Sequence, residues 1–408
     1  MSEWQNLSEQ LRKIGVKFGI QEDTSNKSKP MPIDSFLECH ETHTPIGPIL
    51  SVRKLYKLDY AQGECNLSPK STFDRICQWA KIPDYETLTL KNFIFLDAET
   101  TGLSGGTGTM IFLLGLAKYE DDHLLLEQFF LRNPSEEEAF LHALSYFCAD
   151  MKVVVTYNGK AFDVPILNTR HILKRIPNPF LDVYHIDLLT ISRQLWKLRL
   201  EQCRLSNIEQ DILHFQREGG EVPGYLAPEF YKDFLKTGDA RPLKGVFYHN
   251  QEDVISLAAL FSHIANMLEN PFEKATPTSH DSYSLGRVFE HLNENEIAHH
   301  LYDQSRACEN NYNLRERYLL QQAMLFKRQN EIEKALPLWN EAINLQSLTA
   351  MEELAKYYEH KAKDPYTALE LTSRALEILR DDKKYNSKLY IRFEQRQKRL
   401  LLKTGNQV

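Results

Sequence analysis

The chain has 408 residues, 42% of them hydrophobic, and carries 49 basic against 56 acidic side chains, a net charge of −7 with histidine neutral. That length accommodates two or three domains with sizeable cores, and the acidic balance excludes a uniformly basic nucleic-acid coat while leaving room for a local basic groove. The longest strongly apolar run, Met110 to Ala117, is far short of the ~20 residues that span a bilayer, and the acid-containing N-terminus has no signal-peptide core, so a cytoplasmic protein without membrane association is expected. Six cysteines, at 39, 65, 77, 148, 203 and 308, are widely spaced with no Cys-x-x-Cys pair, which argues against a zinc ribbon or a disulfide framework.

Residues 1–20 place Leu7, Leu11, Ile14 and Phe18 at helical spacing, and 21–30 read as a polar, breaker-rich linker. Residues 31–90 show short apolar runs and a helical pattern near Phe73 to Trp79, so 1–90 is taken as an N-terminal extension of unread function. The texture changes at Phe93-Ile94-Phe95-Leu96-Asp97, a buried-strand pattern bounded by a polar loop from Thr100 to Thr109. Met110 to Tyr119 and Leu124 to Phe130 form a hairpin pattern, followed by helical spacing over 135–148. The β-branched run Val153 to Thr156 leads into the turn dipeptide Asn158-Gly159 and a helix from Pro165 to Leu173. A last helix is expected from about Gln251 to Leu268 on the stripe Val254, Leu257, Phe261, Ile264 and Leu268. Strands and helices thus mix over 91–270, an α/β domain.

Beyond Pro271 only helical periodicity remains, and it repeats. Gly286, Phe289, Ala298, Tyr302 and Ser305 recur as Ala323, Phe326, Ala335, Trp339 and Ala342 with the same steps. Ala355, Tyr358, Ala368, Thr372 and Ala375 make a third copy with one extra residue near Lys363-Asp364-Pro365. The pattern resembles tetratricopeptide repeats over 280–403, an ordinary helical bundle being the alternative. Lys383 to Lys403 holds eight basic residues against Glu394 alone; Lys388, Arg392, Arg396 and Arg399 share one side, either to follow a phosphate backbone or to cap the helical array.

Three acidic groups stand out. Asp97 and Glu99 end the first buried strand two residues apart, on one face. Buried carboxylates need a cation or a metal, although acids just past a strand are commonly solvated. Asp163 follows the β-branched strand at a helix entrance, where it could serve as a cap, and Asp253 stands near a helix start, where it could serve the helix dipole. Asp187 is a further strand-end acid, for which pairing with an arginine is expected. Arg199 and Arg204 fit either phosphate contacts or ordinary ion pairs.

Taken in order, these segments resemble the DEDD 3′-to-5′ exonuclease superfamily of the ribonuclease H-like fold. Asp97-x-Glu99-Thr100-Thr101-Gly102-Leu103 matches its first motif, Asn158-Gly159-x-x-Phe162-Asp163 its second, and His249-x-x-x-Asp253 a variant of its third. Cys203-Arg204-Leu205-Ser206-x-x-Glu209, Val222-Pro223-Gly224-Tyr225 and His249-Asn250-x-x-Asp253-Val254 resemble a bacterial YprB-like subgroup that joins this domain to tetratricopeptide repeats. The resemblance implies a mixed central sheet flanked by helices and two divalent cations, Mg²⁺ or Mn²⁺, on hard oxygen ligands. It further implies that Asp97 bridges both ions, that Glu99 and Asp253 complete the site of the attacking water, and that Asp163 holds the second ion. Thr100, Leu103 and Asn158 would then be substrate-binding or positioning residues.

His249 stands four positions before Asp253, in the slot where this family carries a tyrosine, and Tyr248 stands five before it. On a helix four residues turn ~400° and return to the same face, whereas five do not, which favours His249 as the base or orienter of the water over Tyr248; a capping or core histidine is the plainer alternative. The expected partner is a single-stranded 3′ nucleic-acid end, DNA or RNA, with a possible protein partner on the repeats. A catalytically weak or inactive nucleic-acid-binding scaffold on the same fold is the competing reading. Ser104-Gly105-Gly106-Thr107-Gly108 fits neither a P-loop nor a dinucleotide fingerprint.

Overall fold

The computed structural model describes residues 29–102, 107–217, 219, 222–273, 278–307, 311–381 and 387–405. The helix expected over 1–20, most of the 21–30 linker, Leu103, Cys308, Lys383 and Lys384 lie outside the described residues. The chain divides into two compact units, 1–193 with 200–274, and 194–199 with 275–408.

The first unit is built on one seven-stranded mixed sheet. Its strands are β1 (Cys39–Thr44), β2 (Gly47–Lys57), β5 (Phe93–Thr100), β6 (Ile111–Tyr119), β7 (His123–Phe130), β8 (Val153–Thr156) and β9 (Tyr184–Asp187), in the order β1-β2-β7-β6-β5-β8-β9. A two-residue hairpin, β3 (Ala61–Gln62) with β4 (Cys65–Asn66), stands apart. β5, β8 and β9 run parallel and the other pairings are antiparallel. β6 is buried along nearly its whole length, as expected where helices cover both faces of a central strand.

The helices between residues 74 and 269 include α1 (Asp74–Trp79), α2 (Glu137–Phe147), α3 (Asp163–Lys174), α4 (Leu188–Trp196), whose end passes into the second unit, α5 (Ala227–Thr237) and α6 (Leu243–Glu269). α6 packs on β5 and β6, and α2 on β1, β2 and β7. α5 is fastened by Tyr231, whose ring stacks on Phe112 at 4.3 Å and whose hydroxyl donates to the Leu131 carbonyl at 2.8 Å.

Two sequence expectations change here. Residues 39–57 supply two strands of the main sheet, so a division at residue 90 cuts through one layer rather than separating an extension from a domain. β2 forms a local hairpin with β1 and joins the rest of the sheet through β7, some seventy residues later, a long-range pairing that leaves little local signature. The last helix begins at Leu243, just after Pro242, and not near Gln251. His249 and Asp253 therefore sit inside a continuous helix, which removes the dipole explanation for Asp253.

The second unit contains α7 (Ser279–His291), α8 (Asn295–Ala307), α9 (Tyr312–Arg328), α10 (Ile332–Asn344), α11 (Leu348–Tyr357), α12 (Pro365–Asp381) and α13 (Ser387–Lys403). Each is packed on the next. The repeated small and aromatic positions form the helix contacts: Ala298, Tyr302, Ser305, Ala323, Ala335, Ala342, Ala355, Ala368, Thr372 and Ala375 are fully buried. Gly286 is required by that packing, because a Cβ there would lie 2.7 Å from the Tyr302 ring. Asn293, Asn330 and Lys363, with φ of 62°, 62° and 58°, turn the chain between the two helices of each pair. The extra residue of the third copy is accounted for by a π-turn, Tyr358–Ala362, which widens the end of α11. Arg199 pairs with the buried Asp281 at 3.1 Å, so it serves this unit as an ion-pair residue.

Candidate active site

β5 delivers the first two acids. Its first half is buried on both faces, and Asp97 and Glu99 follow in its partly covered second half, where the β6 register shifts at Glu99 and Thr100. Parallel pairing of β8 with β5 brings the end of β8 to the same edge, so the turn after Thr156 lands beside Asp97 and Glu99. Asn158 adopts a left-handed φ of 69° in that turn. Gly159 admits no side chain, since a Cβ would stand 2.6 Å from Thr156 Cβ and 2.8 Å from Asp163 Oδ2. Asp163 is then the first residue of α3, placed by this turn instead of acting as its cap.

Asp187 holds the turn from behind. Its carboxylate accepts the amides of Asn158 at 2.8 Å and Lys160 at 3.3 Å. The expected arginine partner is replaced by backbone, a role that a strand-end acid and a tight turn thirty residues apart do not announce in sequence.

Asp97, Glu99, Asp163, His249 and Asp253 converge on one cavity of about 270 Å³, with Thr100, Gly102, Phe162, Gly224 and Pro228 also in its wall. Of the expected substrate residues, Thr100 reaches the cavity and donates its hydroxyl to the Gly102 carbonyl at 2.8 Å. Asn158 is not among the lining residues, and Tyr248 is absent from the wall as the helix geometry required. Phe162 is half exposed there, an aromatic face beside the acids.

Burial raises the Asp97 carboxyl well above the usual carboxylate range, and Asp253, Glu99 and Asp163 push it further. Burial likewise raises Glu99 and Asp163; His249 opposes the shift at Glu99, and a backbone amide opposes it at Asp163. Such a group of desolvated like charges calls for cations.

Two residues without an assigned sequence role organise it. Asn250, fully buried on α6, donates its amide to the Asp97 carbonyl at 3.0 Å and to Asp97 Oδ2 at 2.9 Å. Gln128 of β7 donates to Asn250 Oδ1 at 2.8 Å and so fixes which way that amide points. Gly115 of β6 makes the space, because a Cβ there would fall 2.4 Å from Asn250 Oδ1. Arg217 is the second. Its Nε and Nη2 donate to both oxygens of Glu209 at 2.8 and 2.6 Å, Nη2 also bonds Asp253 Oδ1, and Nη1 lies 3.0 Å from His249 Nδ1. A guanidinium only donates, so His249 Nδ1 is the acceptor and the proton of the neutral ring is on Nε2, 3.4 Å from Asp253 Oδ2.

Oxygen donors from four carboxylates suit a hard divalent cation. The side chains do not stand in a ligating arrangement, however: among the described residues no three His, Cys, Asp or Glu side chains form a ready cage. Both Asp253 oxygens face protein donors, and Asp97 Oδ2 is held by Asn250.

Residues 94–265 match the family RNase_H_2, described as RNase_H superfamily. Over 296 residues the chain is 37% identical to the protein called "Uncharacterized protein YprB" of Bacillus subtilis (strain 168), covering 70% of this chain and 69% of that one. The chain belongs to the RNase H superfamily. The RNase H-like domain accounts for the mixed sheet and its flanking helices, and it makes nucleic-acid hydrolysis the class of chemistry that the fold suggests. Within the RNase H-like match lie all four acids, Asn250, Glu209 and Arg217. The sequence signal available for Asn250 and Glu209 was their presence in the subgroup motifs. Arg217 had none, because its partners are 8, 32 and 36 positions away.

Proposed function

We propose that the chain is a two-metal-ion nuclease, most specifically a 3′-to-5′ exonuclease of DNA or RNA ends, with tetratricopeptide-like helices that engage a partner protein or strand. The observation that carries this reading is the convergence of Asp97, Glu99, Asp163 and Asp253, from β5, α3 and α6, on one cavity that desolvates them. In this reading Asp97, Glu99 and Asp253 hold one ion, and Asp97 with Asp163 holds the other. Bound ions of this kind compensate charge on the attacking and leaving oxygens of a phosphodiester. His249 is the group on the cavity wall suited to receive or direct the proton of an attacking water near neutral pH. Phe162 offers a base of the terminal nucleotide a stacking face, a contact that is sequence-tolerant because every base has a π-face.

The competing scaffold reading draws on two observations: Arg217 is bonded to Asp253, and among the described residues the acids form no metal cage. The test is incubation of the purified protein with end-labelled DNA and RNA plus Mn²⁺ or Mg²⁺, beside Asp97→Ala. Shortening by the wild type alone supports the nuclease. Equal shortening by both proteins, or binding without shortening on every substrate and metal, removes it.

A further inference from the structure

We infer that Arg217 is a resident counter-cation of the acid cluster, which an incoming divalent ion displaces from Asp253 while Glu209 retains it. The inference rests on the two-metal reading and explains why a site with the right oxygens has no ready cage.

The Arg217 side chain is 7% exposed, and its partners Glu209 and Asp253 are 3% and 14% exposed. A charge this deep needs compensation on every side. The guanidinium keeps its charge at any working pH, so it neutralises part of the cluster whenever the metal is away. Its contacts are unequal. Glu209 takes two of its nitrogens in a two-point pair and is itself fixed by Ser256 Oγ at 2.5 Å, on the next turn of α6. Among the described residues, Asp253 takes one contact, from Nη2, and His249 one, from Nη1.

That inequality sets what metal entry changes. An ion on Asp253 competes with a single charge-assisted hydrogen bond, while the Glu209 pair keeps the guanidinium buried and compensated. The His249 contact runs through a different nitrogen, Nη1, so it is not the bond that an ion on Asp253 breaks. Arg217 therefore acts through Asp253 as a positioning residue, and it weakens metal binding in return for a neutralised empty site.

The experiment is calorimetric titration of Mn²⁺ into the full chain, with Mn²⁺ electron paramagnetic resonance to count bound ions and thermal melts to confirm folding. Arg217→Met removes the competitor and keeps the stem, so Mn²⁺ binds about tenfold or more tightly than to the wild type. Glu209→Gln removes the retaining carboxylate, leaves Arg217 to Asp253, and binds Mn²⁺ more weakly. Opposite signs in two folded variants are the signature, because general damage to the site weakens both. Equal or weaker binding by folded Arg217→Met, with wild-type binding that Asp97→Ala abolishes, overturns the inference and leaves the two-metal reading standing. No Mn²⁺ uptake by either wild type or Arg217→Met overturns both.

Discussion

At the residue scale the site is governed by what each buried carboxylate is bonded to. Asp97 is aimed by Asn250, Asn250 by Gln128, and the chain of amides runs through space that only Gly115 leaves open. Asn250→Ala is expected to lower Mn²⁺ affinity about 10- to 100-fold, the range seen when an outer partner of a metal ligand is lost. Titration calorimetry reads the affinity, and an unchanged far-UV spectrum separates lost aiming from lost fold. Phe162→Ala removes the half-exposed aromatic face beside the acids, so it raises KM for a single-stranded end about 5- to 100-fold with kcat little changed. Steady-state kinetics with a short oligonucleotide decide it; a fall in kcat alone would place Phe162 in support of the acids instead of the base.

At the element scale, the basic C-terminal helix shows how one sequence pattern resolves. Arg399 bonds both oxygens of Glu359 at 2.7 Å, Lys403 bonds one at 2.7 Å and Arg396 lies 3.4 Å away, while Arg392 pairs with Glu352. Three of the four side chains on that stripe thus fasten α13 to the π-turn and α11, which favours the capping role over a phosphate track. The Arg399 and Lys403 contacts hold the Glu359 carboxyl down to about 2, from its ordinary 4.5. A depressed folded value means that the stabilisation is present above pH 4.5 and is lost as pH falls through about 2. Glu359→Gln is expected to destabilise the helical unit by about 1–3 kcal/mol at pH 7, because two of the cations it leaves remain half exposed. Denaturant melts at stepped pH check this: the gap to wild type narrows from pH 4.5 downward, and a gap independent of pH would contradict the assignment.

At the scale of the whole molecule, what could be read from the sequence was what short segments specify. Phe93 to Asp97 reads as a strand because its apolar run is continuous, and the order of Asp97, Glu99, Asp163 and Asp253 is a linear property. The repeated positions around Gly286, Ala323 and Ala355 are legible because each marks a close helix contact. β2 was not legible: Ser51 to Tyr56 alternates poorly, and its strand identity comes from pairing with β1 and β7. The start of α6 at Leu243 was missed because the apolar stripe is clean only after Asp253. Arg217 illustrates the limit most plainly, since its meaning is set by a fold that brings Glu209, His249 and Asp253 around it. Among the described residues no helix is long and apolar enough to cross a membrane.

Metal-dependent hydrolysis from a 3′ end by the convergent acids is the proposal on which the other predictions depend. The most direct measurement follows 5′-labelled single-stranded DNA and RNA through time with Mn²⁺, for the wild type and Asp97→Asn. The expected result is a ladder that shortens stepwise from the 3′ end, abolished by chelation and by Asp97→Asn. A ladder that persists in Asp97→Asn, or cleavage indifferent to chelation, would contradict it.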